Sequence, residues 1–264
     1  MREVIEAHEL RAKKSLGQNF LLDLNITDKI VRHAGDLKGV NVFEIGPGPG
    51  GLTRSLLKSP AKTVTAIEFD DRAIAALQPL KEISGGEFNV IHADALETDL
   101  TQIAPAPRAI AANLPYNIAT PLLVNWLRQI HENKDAYQSM TLMFQKEVAQ
   151  RIVAQAGNKT YGRLAILAQW LCHARIAFDL PPSAFTPPPK VTSSVVHFIP
   201  KKLEPGAPAF EAIEKLTAEA FGQRRKMIRQ SLKNYKDKIE KTGIDETLRA
   251  EDLTVEQFIA LAKN

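Results

Sequence analysis

Short apolar runs, each bounded by glycine, proline or charged residues, recur through the first half of the chain. Val40–Ile45, Val64–Glu68, Asn89–Ala93, Ala109–Ala112 and Met140–Phe144 are four to six residues long. Runs of that length, nearly all apolar, read as strands buried on both faces. Between and around them the spacing turns helical. Ile26–His33, the stretch from Gly51 through Leu57, and Gln145–Ala154 each predict a helix. Leu164–His173 is apolar on most sides and reads as a core helix, far too short to cross a membrane. Ile176–Leu180 and Val191–Ile199 predict an antiparallel strand pair. Strands alternating with helices give an α/β fold with an open sheet.

The punctuation then changes. Eight of the 16 prolines lie between Pro181 and Pro208. Pro181–Lys190 lacks the N–H groups and the φ freedom for a helix, so it predicts a stiff, exposed loop. Lys201–Pro208 reads as a linker. Beyond it Phe221, Ile228, Leu232, Tyr235 and Ile239 recur at steps of seven, four, three and four, which predicts one amphipathic helix. Asp245–Leu248 and Thr254–Ala262 predict two short helices, the second opened by a capping box of Thr254 and Gln257. The expected division is therefore an α/β domain over residues 1–200 and a small helical domain over 201–264.

Composition excludes more than it selects. Over 264 residues, 44% hydrophobic and 24% charged content are those of a globular protein. The single cysteine, Cys172, excludes an internal disulfide and any cysteine-built zinc site, and its apolar surroundings predict a buried, inert thiol. No metal site is expected. No apolar core follows a basic segment at the start, so a signal peptide is not expected and the chain reads as cytoplasmic. The net charge of +4 is unevenly spread: Phe221–Lys241 holds Arg224, Arg225, Lys226, Arg229 and four lysines against Asp237 and Glu240. That segment is +6, which leaves −2 for everything else. A basic stripe on a near-neutral body is the footprint of a polyanion partner, with a solvated helix face as the plainer reading.

The candidate chemistry sits where strands end. Asn113-Leu114-Pro115-Tyr116 follows the fourth strand, and Thr120-Pro121 reads as a helix start, so the four residues occupy a strand-to-helix turn. Open α/β sheets bind their ligands at that end. An amide oxygen, a backbone carbonyl and an aromatic ring fit a flat heterocycle with an exocyclic amine, whose N–H groups they accept and whose face they stack on. Gly46-Pro47-Gly48-Pro49-Gly50-Gly51 after the first strand lets backbone approach a ligand at a helix start. Glu68 closes the second strand 22 positions after Gly46, the spacing of a carboxylate that accepts ribose hydroxyls. Both NAD and S-adenosylmethionine satisfy this much. Asp94 ends the third strand, and acids at Glu44, Glu68 and Asp94 suit a cofactor carrying a sulfonium cation. No hydride-transfer constellation stands at a convincing position, and His92 reads as a strand residue. Methyl transfer is favoured.

These motifs resemble those of the rRNA adenine dimethyltransferases: Gly17-Gln18-Asn19-Phe20-Leu21, the glycine turn, Asn113–Tyr116, Gln145–Arg151 with Tyr161–Leu164, and Pro181–Lys190. The resemblance covers the chain from Gly17 to the terminal helices. It implies a Rossmann-like class I methyltransferase fold, a doubly wound seven-stranded sheet with its last strand antiparallel, joined to a helical RNA-binding C-terminal domain. It implies S-adenosylmethionine as methyl donor, held by Asn19, Leu21, Gly46, Gly48, Glu68, Asp94 and Asn113. It implies a catalytic set of Asn113, Leu114, Pro115, Tyr116 and Phe185, with the target base gripped between the rings of Tyr116 and Phe185; a Phe185 that merely anchors its loop is the competing reading. Lys13, Lys14, Lys146 and Arg151 would join Arg224, Arg225, Lys226 and Arg229 on the RNA. The implied substrate is two adjacent adenosines near the 3′ end of 16S rRNA in the small ribosomal subunit, each dimethylated at N6 by a monomeric enzyme with a role in subunit maturation. The alternatives are a 23S rRNA adenine methyltransferase, disfavoured by the proline-rich loop and the C-terminal domain, and a non-catalytic nucleic-acid-binding factor on the same fold. A plain NAD-binding Rossmann protein stands further off.

Overall fold

The structure is a computed structural model and describes Ile5, Leu10 and residues 19–263. In chain order the elements are β1 (Phe20–Leu21), α1 (Leu24–His33), β2 (Asn41–Ile45), α2 (Gly51–Leu57), β3 (Thr63–Glu68), α3 (Asp71–Ile83) and β4 (Phe88–His92). Then come β5 (Arg108–Ala112), α4 (Tyr116–Glu132), β6 (Ser139–Gln145), α5 (Lys146–Val153), α6 (Arg163–Leu171), β7 (Cys172–Leu180), β8 (Phe185–Thr186) and β9 (Ser193–Pro200). The C-terminal helices are α7 (Phe210–Gly222), α8 (Ile228–Ser231), α9 (Lys236–Thr242) and α10 (Val255–Ala262).

Seven strands form one sheet in the order β4-β3-β2-β5-β6-β9-β7. Neighbours from β4 to β6 are parallel, while β9 runs antiparallel to both β6 and β7. The chain winds outward from β2 to β4 and then returns to start again at β5, so β2 and β5 flank the topological switch point where such sheets bind ligands. All five residues of β2 and the first six of β6 are buried, as strands covered by helices on both faces must be. One apolar cluster, with Ile30, Leu56, Leu77 and Met143, lies between the sheet and α1–α3. The other, with Trp126, Ile166 and Phe198, runs without a break into Phe210, Leu216 and Phe258 of the C-terminal helices. The change of character after residue 200 is thus a change of topology over one shared core.

Several elements differ from their sequence expectations, each for a tertiary reason. Helix α4 starts at Tyr116 and not at Thr120: the Pro115 carbonyl accepts from the N–H groups of Ile118 and Ala119, and Pro121 lies inside the helix. The amphipathic pattern from Phe221 to Ile239 is not one helix. It breaks after Gly222 because Ile228 and Arg229 give their N–H groups to the Leu248 and Glu246 carbonyls, bonds that a continuous helix would have kept internal. The same bonds stop Asp245–Leu248 from being helical; that stretch is a turn closed by the Asp245 carboxylate on Thr247 N–H at 2.8 Å. Helix α6 ends at Leu171, and Cys172, buried, opens β7 directly. Pro182–Ala184 makes a single 3-10 turn inside the proline-rich loop. Helices α3 and α7, each of 13 residues, add to the elements the sequence pattern predicts.

Candidate active site

The turn after β2 is shaped by glycine where no other residue fits. Gly46, Gly48 and Gly50 all have positive φ, at 64°, 54° and 83°. A Cβ on Gly48 would also stand 2.8 Å from the Phe20 ring. Phe20 belongs to β1, which pairs with β8 through Phe20 opposite Thr186 and Leu21 opposite Phe185. This two-stranded ribbon, joining residues far apart in sequence, lies beside the switch point. The cleft there has two lobes that share Phe20, Gly46 and Pro115.

One lobe is lined by Gly48, Glu68, Phe69, Asp94, Leu96 and Ile118, among others. Glu68 is held rigidly: one carboxylate oxygen accepts from Phe69 and Asp70 N–H at 2.8 and 2.9 Å, the other from Gly48 N–H at 3.3 Å. Burial raises its pKa, and those three donors counter the shift in part. Asp94 is exposed at the rim, with one oxygen accepting from Leu96 N–H at 2.9 Å. Phe69 leaves 65% of its surface exposed beside Glu68, an uncovered aromatic face where the sequence reading placed nothing. A carboxylate fixed at the end of β3, a glycine cradle that a Cβ would fill and a largely exposed aromatic ring, touched at its side by His92, suit an adenosyl group.

The other lobe is lined by Asn19, Leu21, Glu44, Asn113, Leu114 and Tyr116. The Asn113 side chain donates from Nδ2 to the Asn19 carbonyl at 2.8 Å. That bond orients the amide, since one N–H of Nδ2 is engaged there and Oδ1 remains as an acceptor. Tyr116 is half-buried, and its hydroxyl lies 2.5 Å from Ser193 Oγ on β9. Glu44 is fully enclosed and accepts from Thr53 Oγ1 at 2.6 Å. Burial pushes its pKa up to about 8 against the pull of that bond, so the carboxyl is protonated at neutral pH.

Phe185 does not line the cleft. Its ring is 3% exposed, in the apolar cluster with Leu21, Leu180 and Val195, because pairing with β1 turns it inward. The base-gripping role expected for it is therefore not what this arrangement displays; it anchors the loop.

Among the expected RNA contacts, Lys13 and Lys14 lie outside the described residues. Lys146 pairs with Asp179 at 2.6 Å and Arg151 with Glu147. Arg224 is committed to structure: it binds Glu251 at 2.8 Å and the carbonyls of Lys159 and Tyr161, pinning the turn that ends α7. Arg229 reaches Glu246 at 3.8 Å, whereas Arg225 and Lys226 are exposed on the same turn. Phe20, Phe69 and Ser193 were missed. An aromatic directly after the strand-end acid could have flagged Phe69; no local signal links Ser193 to a tyrosine 77 residues away.

Strand order and site together define a Rossmann-like class I methyltransferase. The fold resembles a crystal structure of a dimethyladenosine transferase from Plasmodium falciparum, with TM-score 0.78 and 29% identity over 92% of this chain and 95% of that one. It also resembles the 23S rRNA methyltransferase ErmE in fold, at TM-score 0.70 and 24% identity over 92% of this chain and 98% of that one. Residues 9–264 match the family model for ribosomal RNA adenine dimethylase. Proteins named ribosomal RNA small subunit methyltransferase A are 57% identical in Brucella canis, over 99% of this chain and 95% of that protein, and 54% identical in Mesorhizobium japonicum, over 100% and 97%. The chain belongs to the ribosomal RNA adenine dimethylase family.

Proposed function

We propose that this protein uses S-adenosylmethionine to dimethylate N6 of two adjacent adenosines near the 3′ end of small-subunit rRNA. The observation that carries this reading is the Asn113–Asn19 bond, which leaves the Asn113 oxygen as an acceptor beside the glycine cradle. Family membership and the names of the relatives supply the RNA and the subunit. The 23S alternative rests only on a likeness of fold at 24% identity.

Gly46, Gly48, Glu68, Asp94, Asn19 and Leu21 would hold the cofactor, with Phe69 against its adenine. When bound, it supplies an electrophilic methyl group on a sulfonium centre. An adenine amine is a poor nucleophile because its lone pair is delocalised into the ring. Asn113 Oδ1 and the Leu114 carbonyl accept its two N–H groups and draw the nitrogen toward tetrahedral geometry, which turns the lone pair outward for in-line attack. The methylated nitrogen is a strong acid and loses its proton to water, so no strong base is required. Positioning of this kind supplies roughly 7–11 kcal/mol. The target base has to leave its stack, and Tyr116, steadied by Ser193, offsets part of that cost at about 1–3 kcal/mol. Arg225 and Lys226 meet the RNA backbone. No helix among the described residues is long and apolar enough to cross a membrane; the reading places a monomeric enzyme in the cytoplasm.

The test is incubation with methyl-labelled S-adenosylmethionine and under-methylated small subunits, large subunits or DNA, followed by mass spectrometry of the digest. Dimethyladenosine at two adjacent small-subunit positions is expected. Labelling of the large subunit alone, or binding with no transfer, would overturn the reading.

A further inference from the structure

A second group of cations lies away from the cleft, where Lys29 and His33 of α1 meet Phe178 of β7. Lys29 Nζ sits 4.1 Å from the centre of the Phe178 ring on β7, and the His33 ring lies 5.2 Å from the same ring. Arg175 on β7 stands directly opposite His197 on β9. Burial first, then the charges of Arg175, Lys29 and Arg32, hold His33 below the ordinary histidine range. His197 is pushed down to about 4 by burial and by the charges of Arg175 and His33. Lys29, Arg32 and Arg175 thus gather around His33, with His197 buried beneath and bonded to Thr141 Oγ1 at 2.9 Å.

The three permanent charges are exposed, and none makes an ion pair among the described residues. On neighbouring elements Arg128, Lys146 and Arg151 each hold a carboxylate. Like charges gathered without counter-charges repel, a cost that an anionic partner removes. Arg32 and His33 end α1 and complement its dipole, but that does not account for Lys29 or Arg175. A protein partner would call for an apolar anchor at the centre. Here the central aromatic, Phe178, is covered by Lys29. The geometry points to a second phosphate-binding surface on the α1–β7 face, which holds the backbone of the same RNA away from the target base. His197 lies four residues along β9 from Ser193, the partner of Tyr116, so the surface is about 13 Å from the base site along the strand.

This inference rests on RNA being the partner, and the experiment separates the two. Affinity for a small-subunit rRNA fragment is measured over a range of salt concentrations for wild type, the double variant Arg32→Gln/Arg175→Gln and a control, Lys62→Gln/Lys81→Gln. The control removes the same charge from exposed sites outside the α1–β7 face. Two lost phosphate contacts should flatten the slope of log affinity against log salt by about 1.4–1.8 and weaken binding roughly tenfold or more near physiological salt. The control should keep the wild-type slope, and cofactor affinity should be unchanged in both. An unaltered slope in the arginine variant overturns the inference, also when the face serves an acidic protein instead. Equal losses in both variants reduce it to net charge and overturn it too. Wild type that binds RNA yet transfers no methyl group would sink the catalytic reading and leave the surface standing.

Discussion

Glu44→Gln should stabilise the protein relative to wild type progressively as pH rises, by an amount that burial sets. The carboxyl is 2% exposed, its donor is Thr53 Oγ1, and its pKa moves from 4.5 to about 8. In the unfolded chain it titrates near the ordinary value. Between the two, the native state keeps a proton that the unfolded state has lost, so stability falls as pH rises through that window and levels off above it. Each unit is worth about 1.4 kcal/mol, so wild type should lose about 4 kcal/mol between pH 5 and pH 9 from this group alone. A glutamine cannot ionise and does not share the loss. Urea unfolding of both proteins at each pH, taken as a difference, cancels the remaining titrating groups apart from the coupling to Glu68. A difference that stays constant within about 0.5 kcal/mol across the range would refute the burial argument. Cofactor binding offers a second readout. Glu44 lines the lobe with Asn113 and Gly46, so a cationic methyl donor held there would favour its ionised form; wild type should then release a proton on binding near neutral pH and the variant should not, as calorimetry in two buffers would register.

Asn113→Ala should lower turnover by about two to three orders of magnitude while cofactor affinity changes only a few-fold; single-turnover kinetics with unchanged rates would remove Asn113 from the mechanism. Glu68→Gln should weaken S-adenosylmethionine binding at least tenfold by calorimetry, since the anchored acceptor for the ribose hydroxyls becomes half donor; native affinity would sink that assignment. Gly48→Ala should cost about 1–3 kcal/mol in stability, from the φ of 54° and the Phe20 ring 2.8 Å from the new methyl, and should weaken cofactor binding with it; an unchanged melting temperature would contradict the close contact. Ser193→Ala and Tyr116→Phe should each reduce kcat/KM for RNA by a similar factor and, combined, by little more than either alone, because they remove the same hydrogen bond; additive losses would mean that the two hydroxyls act separately.

Much of this was legible because the decisive signals were local. A buried strand, a glycine turn and an acid at the next strand end lie within 29 residues, from Val40 to Glu68, and each follows from short-range sterics and periodicity. The capping box at Thr254 formed as read, with Gln257 N–H donating to Thr254 Oγ1 and Thr254 N–H to Gln257 Oε1. Local signals failed where distant backbone intervened. The helical spacing from Phe221 to Ile239 was genuine, since Ile228, Leu232 and Ile239 are all buried, but residues 246 and 248 captured the N–H groups needed to continue the helix. Thr120-Pro121 lost the helix start to Pro115, whose carbonyl was already placed by the strand before it.

The orientation of the reactive groups belongs to this second kind. Asn113 can be found from its motif, but which end of its amide faces a ligand depends on the Asn19 carbonyl, 94 residues earlier. The pose of Tyr116 depends in turn on Ser193, 77 residues later. Both partners adjoin the same ribbon: Asn19 precedes β1, and Ser193 follows the loop that carries β8. The pairing of Leu21 with Phe185 therefore ties the Asn113 amide to the Tyr116 ring. A substitution that loosened this ribbon would reach both without touching either, and the buried Phe185 ring is what anchors it.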